Sequence, residues 1–261
     1  MKKLWIIVIM ICCVATGLTI TSQFLISDID GEAFIYDRLD ILAVGDSNLY
    51  SAFSPQLYYQ LYQKKSYVMA TANQSIDKTY QYLSEFLLHT HPQIILFETN
   101  PLYSSHNPTQ SQETSLNLLS TDNHVQQMYT KKKRKDYLDE YGFYESRQII
   151  PGLYFNHMKK TSEMFVIPEI TKMYFEKIVD LCQQYHIQLI LLSVPSAIDW
   201  SMAKHNYVAF LAQNKNLPYI DLNLSKQVHI NWLFDSRDGG IHLNNNGAIK
   251  VTRLLGQILE K

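Results

Sequence analysis

The chain has 261 residues, enough for one α/β domain with an insertion and short for two ordinary domains. Apolar residues make up 46% and charged residues 18%, which excludes a globally disordered chain. A formal net charge of −1 supplies no broad electrostatic attraction to nucleic acid.

Lys2 and Lys3 precede an uncharged run from Leu4 to Ile26, and Asp28, Asp30 and Glu32 follow it. Some 23 residues make roughly 34 Å of helix, sufficient for a hydrocarbon core of ~30 Å. Positive charge before the span and acids after it orient the N-terminus inside and the remainder outside. The expectation is a single-pass membrane anchor over residues 1–27, with the body, residues 28–261, outside the cytoplasm. A cleaved signal peptide and a buried core helix are the alternatives, although the small residues around Ala15–Gly17 form no convincing A-x-A cleavage site and so uniformly apolar a stretch at the very start does not suit a core helix. Cys12 and Cys13 lie inside the apolar run, so the body holds Cys182 alone. One cysteine makes no intramolecular disulfide and no cysteine-rich metal site. Cys182 falls on the helical pattern Phe175, Ile178, Val179, Cys182 and reads as a small buried apolar residue.

The body alternates strands and helices. Ile41–Val44 is an apolar run that ends in Gly45-Asp46-Ser47 and reads as a buried strand meeting a turn. Pro55–Tyr62 has helical spacing, and Tyr67–Ala70 reads as a second strand. Ile76–His89 places Tyr80, Leu83, Phe86 and Leu87 at helix spacing. Pro92 announces a third strand over Ile94–Phe97. Pro168–Tyr185 is an amphipathic helix and Ile187–Val194 a fourth strand. Ala203–Gln213 is helical, Tyr219-Ile220 a short fifth strand, and Gly247–Leu259 a closing helix. Continuous apolar strands separated by helices imply a three-layer α/β sandwich around a central parallel sheet. In such sheets the site gathers at the carboxyl ends of the strands.

The rhythm stops between about residues 104 and 165. That stretch is polar and contains Lys131-Lys132-Lys133-Arg134-Lys135, and it is too long for an ordinary connection. It reads as a functional cap or an insertion. The basic run is a solvated helix face, or, on a sharper reading, a contact for an anionic envelope polymer or lipid headgroups.

Ser47 follows the first strand directly, where a tight turn can expose a hydroxyl. A serine needs a base to become a nucleophile. Of nine histidines, His242 has a distinctive setting, Asp238-Gly239-Gly240-Ile241-His242-Leu243-Asn244, just before the last helix. An aspartate and a histidine placed by one turn can form a base with its orienter.

With strand–Gly-Asp-Ser near the start and Asp-Gly-Gly-x-His-Leu-Asn before the terminal helix, the chain resembles the SGNH/GDSL hydrolase family over about residues 40–261. More closely, it is similar to that family's membrane-anchored Gram-positive envelope branch, related to the D-alanyl-transfer protein of teichoic-acid D-alanylation. The resemblance implies an SGNH, flavodoxin-like fold, with Ser47 as nucleophile, His242 as general base and Asp238 as its partner. Asp235 is the alternative orienter. Oxyanion donors would be the Ser47 backbone N–H, Asn73 after the second strand, where the family usually has glycine, and Asn100 after the third. The sequence departs from the family at Asn48, where leucine is usual, in the middle blocks, and in the four-residue spacing of Asp238 from His242.

The resulting expectation is an extracytoplasmic serine esterase or O-acyltransferase that acts on a cell-envelope glycopolymer, or its acyl ester, through an acyl-serine intermediate. A transferase would need a membrane partner such as a multi-spanning O-acyltransferase, an expectation that rests on the resemblance. A catalytically inactive tethered scaffold or glycan-binding protein is the competing class. No cofactor or nucleic-acid partner is expected, and no metal, because the histidines and acids lack ligand spacing.

Overall fold

The computed structural model describes residues 39–104, 136–153 and 155–261. The anchor expected over 1–27 and the basic run at 131–135 lie outside these residues. Among the described residues, no helix is long and apolar enough to cross a membrane.

Five parallel strands form the central sheet: β1 (Ile41–Gly45), β2 (Ser66–Ala70), β3 (Ile94–Glu98), β6 (Gln188–Ser193) and β7 (Tyr219–Asp221). Their spatial order is β2-β1-β3-β6-β7. Counted along the sheet alone this is the doubly wound 2-1-3-4-5 order, whose crevice lies at the carboxyl ends beside the first strand. A separate two-stranded antiparallel hairpin, β4 (Asp136–Leu138) and β5 (Tyr144–Ser146), precedes β6 in the chain.

Every residue of β1 is buried, because neighbours flank it within the sheet and helices cover both its faces. Side chains alternate across a strand, so Leu42 and Val44 join one core while Ile41 and Ala43 join the other. The first core takes Leu83 of α3 (Ile76–Phe86), Phe175, Ile178 and Val179 of α4 (Glu169–Gln184), and Val208 of α5 (Met202–Lys215). Cys182 belongs to it too, 1% exposed, with burial pushing its thiol up to about 12. The second core takes Tyr58 of α2 (Pro55–Tyr62) and Val251, Leu254 and Leu255 of α6 (Asn245–Leu259).

The register levels the strand ends. Gly45 pairs with Ala70, Val44 with Phe97, Glu98 with Leu192, and Ser193 with Asp221. The segments after β1, β2, β3 and β6 therefore leave the sheet along one rim. The described hairpin of the expected insertion packs on the outer edge of β2 and on the start of α6. The Val68 N–H donates to the Tyr141 carbonyl, and Gly142, at φ +81°, approaches Val68 so closely that a β-carbon would stand 2.0 Å from its carbonyl oxygen. Ser146 N–H donates to Asn245 Oδ1 at the start of α6.

Candidate active site

Ser47 opens a one-turn helix, α1 (Ser47–Tyr50), immediately beyond β1. Asp46 caps it, its carboxylate accepting the Asn48 N–H at 2.9 Å. Gly45 is obligatory for packing, since a β-carbon there would stand 2.6 Å from Glu98 Cβ on the adjacent strand. The turn sets the Ser47 hydroxyl at the rim, with the residue 8% exposed.

Its partner comes from 195 positions away: Ser47 Oγ and His242 Nε2 are 2.8 Å apart. The other ring nitrogen of His242 bonds Asp238 Oδ2, while Asp238 Oδ1 accepts the His242 N–H at 2.8 Å. The four-residue spacing works because Gly239 and Gly240 both take positive φ, +85° and +107°, and fold the loop back on itself. Ser236 Oγ gathers the same loop by accepting the N–H groups of Asp238 and Gly240, and the Arg237 N–H donates to the His242 carbonyl. Gly240 has no room for a side chain: a β-carbon would meet the Phe155 ring at 2.5 Å. Gly240→Ala should therefore lower the reactivity of Ser47 toward an activated ester by about 10²-fold, because displacing the loop by an ångström misplaces His242. Activity and far-ultraviolet circular dichroism measured together check this; a variant of full activity contradicts it.

Burial alone would raise the Asp238 carboxyl. The His242 ring, the His242 N–H and the nearby Arg237 outweigh it and hold Asp238 below the ordinary carboxylate range. Arg237 lies with its guanidinium 4.2 Å from the Tyr144 ring centre and 5.9 Å from that of Tyr50, its Nε 3.8 Å from Asp238 Oδ2. Hairpin strand β5 thus braces the loop through Tyr144, and the chain beyond it does so through its backbone. Ile150 N–H donates to the Ser236 carbonyl and Gly239 N–H to that of Ile150.

Asn100, at the start of a 3₁₀ turn after β3, donates from Nδ2 to Asp46 Oδ2 at 2.6 Å. Asp46 therefore fixes the Ser47 turn and the asparagine together. Burial raises the Asp46 carboxyl, and its hydrogen bonds to Asn48 and Asn100 counter that only in part. An amide has two N–H groups, so Asn100 keeps a second one for another acceptor. Asn73 stands apart from this network, exposed in the turn after β2 with φ +51°. That left-handed conformation is one glycine and asparagine share, which explains asparagine at this position.

Asp235 does not reach His242. It is 2% exposed, accepts the Asn231 N–H at 2.7 Å and pairs with Lys250 Nζ at 2.5 Å. Its carboxylate ties the loop to α6, which makes it a structural anion and not the orienter.

Other partnerships around the rim carry little sequence signal. Asn48 Nδ2 donates to Asp199 Oδ2 at 2.9 Å across 151 positions. His205 Nδ1 sits 2.7 Å from Asp221 Oδ2, an oxygen that also accepts from Trp200 Nε1 and Tyr219 OH. Among the described residues no group of three His, Cys, Asp or Glu is arranged to hold a metal ion.

No protein-family model matches this sequence, and no curated protein matches it. Among solved structures, the chain is similar to the lipase/acylhydrolase from Enterococcus faecalis at 11% identity, over 85% of this chain and 96% of that one, with a TM-score of 0.47. It is also similar to the GDSL-like lipase from Bacteroides thetaiotaomicron at 10% identity, over 84% and 87%, with a TM-score of 0.45. A third is the acetyl xylan esterase AlAXEase, at 12% identity over 84% and 99%, with a TM-score of 0.47.

Proposed function

We propose that this chain is a serine esterase or O-acyltransferase of the SGNH type, held at the outer face of the cell membrane, that acts on acyl esters of a cell-envelope glycopolymer. The observation that carries the chemistry is the continuous chain Ser47 Oγ, His242, Asp238 at the carboxyl rim of the sheet. Neutral His242 takes the Ser47 proton through Nε2 as Oγ attacks the ester carbonyl carbon, and Asp238 stabilises the imidazolium that forms. The Ser47 N–H and the second N–H of Asn100 supply the oxyanion contacts; Asn73 would contribute through its backbone. Collapse of the tetrahedral intermediate breaks the bond to the alcohol oxygen, which leaves with the proton from His242. The acyl group remains on Ser47. Water or a sugar or polyol hydroxyl then gives its proton to His242 and takes the acyl group, so esterase and transferase share every residue named.

The envelope location rests on the lysine-led apolar run and the acids after it, and the Gram-positive branch, with an O-acyltransferase as membrane partner, on the sequence resemblance. One experiment tests both parts. A membrane-impermeant fluorophosphonate probe, applied to intact cells making the full chain, should label it on Ser47, with no label in Ser47→Ala. Labelling in lysate but not in intact cells would overturn the location. No labelling of the folded protein would overturn the hydrolase.

A further inference from the structure

Directly behind the nucleophile's neighbour Asn48 lies a cavity of about 20 Å³, bounded by the ends of β3 and β6 and the start of α5. That is room for one water-sized polar group. The side chains that decide its chemistry are Asn48, Glu98, Ser196, Asp199 and Lys204. Among the described residues, Asn48 Oδ1 and Glu98 Oε2 are buried with no hydrogen-bond partner, on residues that are 4% and 3% exposed. Their remaining atoms are committed: Asn48 Nδ2 to Asp199, and Glu98 Oε1 to the Asn100 N–H at 3.0 Å. A buried polar atom without a partner is costly, so two residues that line one small space and each carry such an oxygen point to a ligand group.

We infer that this cavity is a subsite for a single hydroxyl group of the substrate, carried close to the scissile ester; the inference rests on the acyl-serine reading above. The mixture of charges decides hydroxyl over ammonium. Lys204 Nζ borders the space, donating to the Asp199 carbonyl and lying 4.5 Å from the Tyr103 ring centre. A second cation would meet it. Burial, followed by the negative charge of Asp46, pushes the Glu98 carboxyl well above its ordinary value. A hydroxyl donates to an unpartnered oxygen, accepts from a bordering N–H and brings no charge of its own. An apolar methyl in the same place would leave both oxygens unsatisfied, which is how a polar site rejects an isostere.

The hydroxyl can belong to the acyl part or to the alcohol part, and two pairs of isosteric esters separate these. Ethyl glycolate against ethyl propionate exchanges hydroxyl for methyl on the acyl side; 2-hydroxyethyl acetate against propyl acetate does so on the alcohol side. The readout is the kcat/KM ratio within each pair, compared between the wild type and Asn48→Leu, which cancels intrinsic ester reactivity. In one pair the wild-type ratio should exceed that of Asn48→Leu by about tenfold or more. Asp199→Asn, which frees the Asn48 amide to turn over, should lower the same ratio part-way. Fluorophosphonate labelling of Ser47 in both variants establishes that they are folded and reactive. Unchanged ratios in both pairs, with labelling intact, would overturn the subsite and leave the hydrolase standing. A wild-type preference for glycine ethyl ester over ethyl glycolate would overturn the hydroxyl assignment. Failure of the wild type to label would remove the acyl-serine reading and the subsite with it.

Discussion

Ser47→Ala and His242→Ala should each lower turnover of an activated ester such as p-nitrophenyl acetate by about 10³-fold or more. On the proposed reading Ser47 and His242 act as one hydrogen-bonded unit at 2.8 Å, so removing either leaves the other without a task. The double variant should be little worse than either single one, because effects within such a unit do not add. Both losses should come without a loss of fold. Ser47 and His242 lie at the rim, and neither side chain belongs to the two apolar cores. Steady-state kinetics beside thermal unfolding check this, and full activity in Ser47→Ala would end the hydrolase reading.

Asp238→Asn and Asp235→Asn should fail in opposite ways. At 238 the amide keeps the shape of the loop but favours the wrong imidazole tautomer, and single-turnover acylation should fall by roughly 10³–10⁴-fold. The melting temperature at neutral pH should fall modestly, because the charged carboxylate's share of the stability is gone. The acid side differs: a carboxyl held below its ordinary 3.8 contributes stability above that pH and loses it as pH falls further, so this variant should lack that share of acid sensitivity. At 235 the substitution removes the anion facing Lys250 inside a buried loop and should cost about 1–3 kcal/mol of stability. The folded fraction should still acylate within about tenfold of wild type. If Asp235→Asn is the slower acylator, Asp238 is not the orienter. If both acylate normally, Ser47 and His242 act as a dyad.

The strands were legible because each is a continuous apolar run, the mark of a strand covered on both faces. Their ends differ from the reading by at most one residue. The helix read from Ile76 to His89 stops at Phe86, where Leu87 caps it and Leu88 turns outward at 66% exposure. The closing helix starts at Asn245, two residues before the glycine read as its start, since Asn244 Oδ1 caps the N–H groups of Asn246 and Gly247. The hairpin went unread because three-residue strands are too short to show a period. Gly142, needing φ +81° and close approach to Val68, was its one local signal. Ser47, His242 and Asp238 stood out because each sits in a turn whose glycines have a mechanical purpose. Asn48, Glu98, Asp199 and Lys204 did not. What joins them is adjacency of the β1, β3 and β6 ends across as many as 151 positions, and only the folded sheet supplies it.

The distance along the chain between Ser47 and His242 also orders events during synthesis. A ribosome working at about 5–20 residues per second needs roughly 10–40 s to travel the 195 positions that separate them. For that interval Ser47 exists without His242. Closure of the site must also await α6, whose Gly256 lies so close to Tyr62 of α2 that a β-carbon there would stand 1.9 Å from its ring. On the proposed reading, a nascent or C-terminally shortened chain displays a serine without its base, and the chemistry switches on only when the last helix docks.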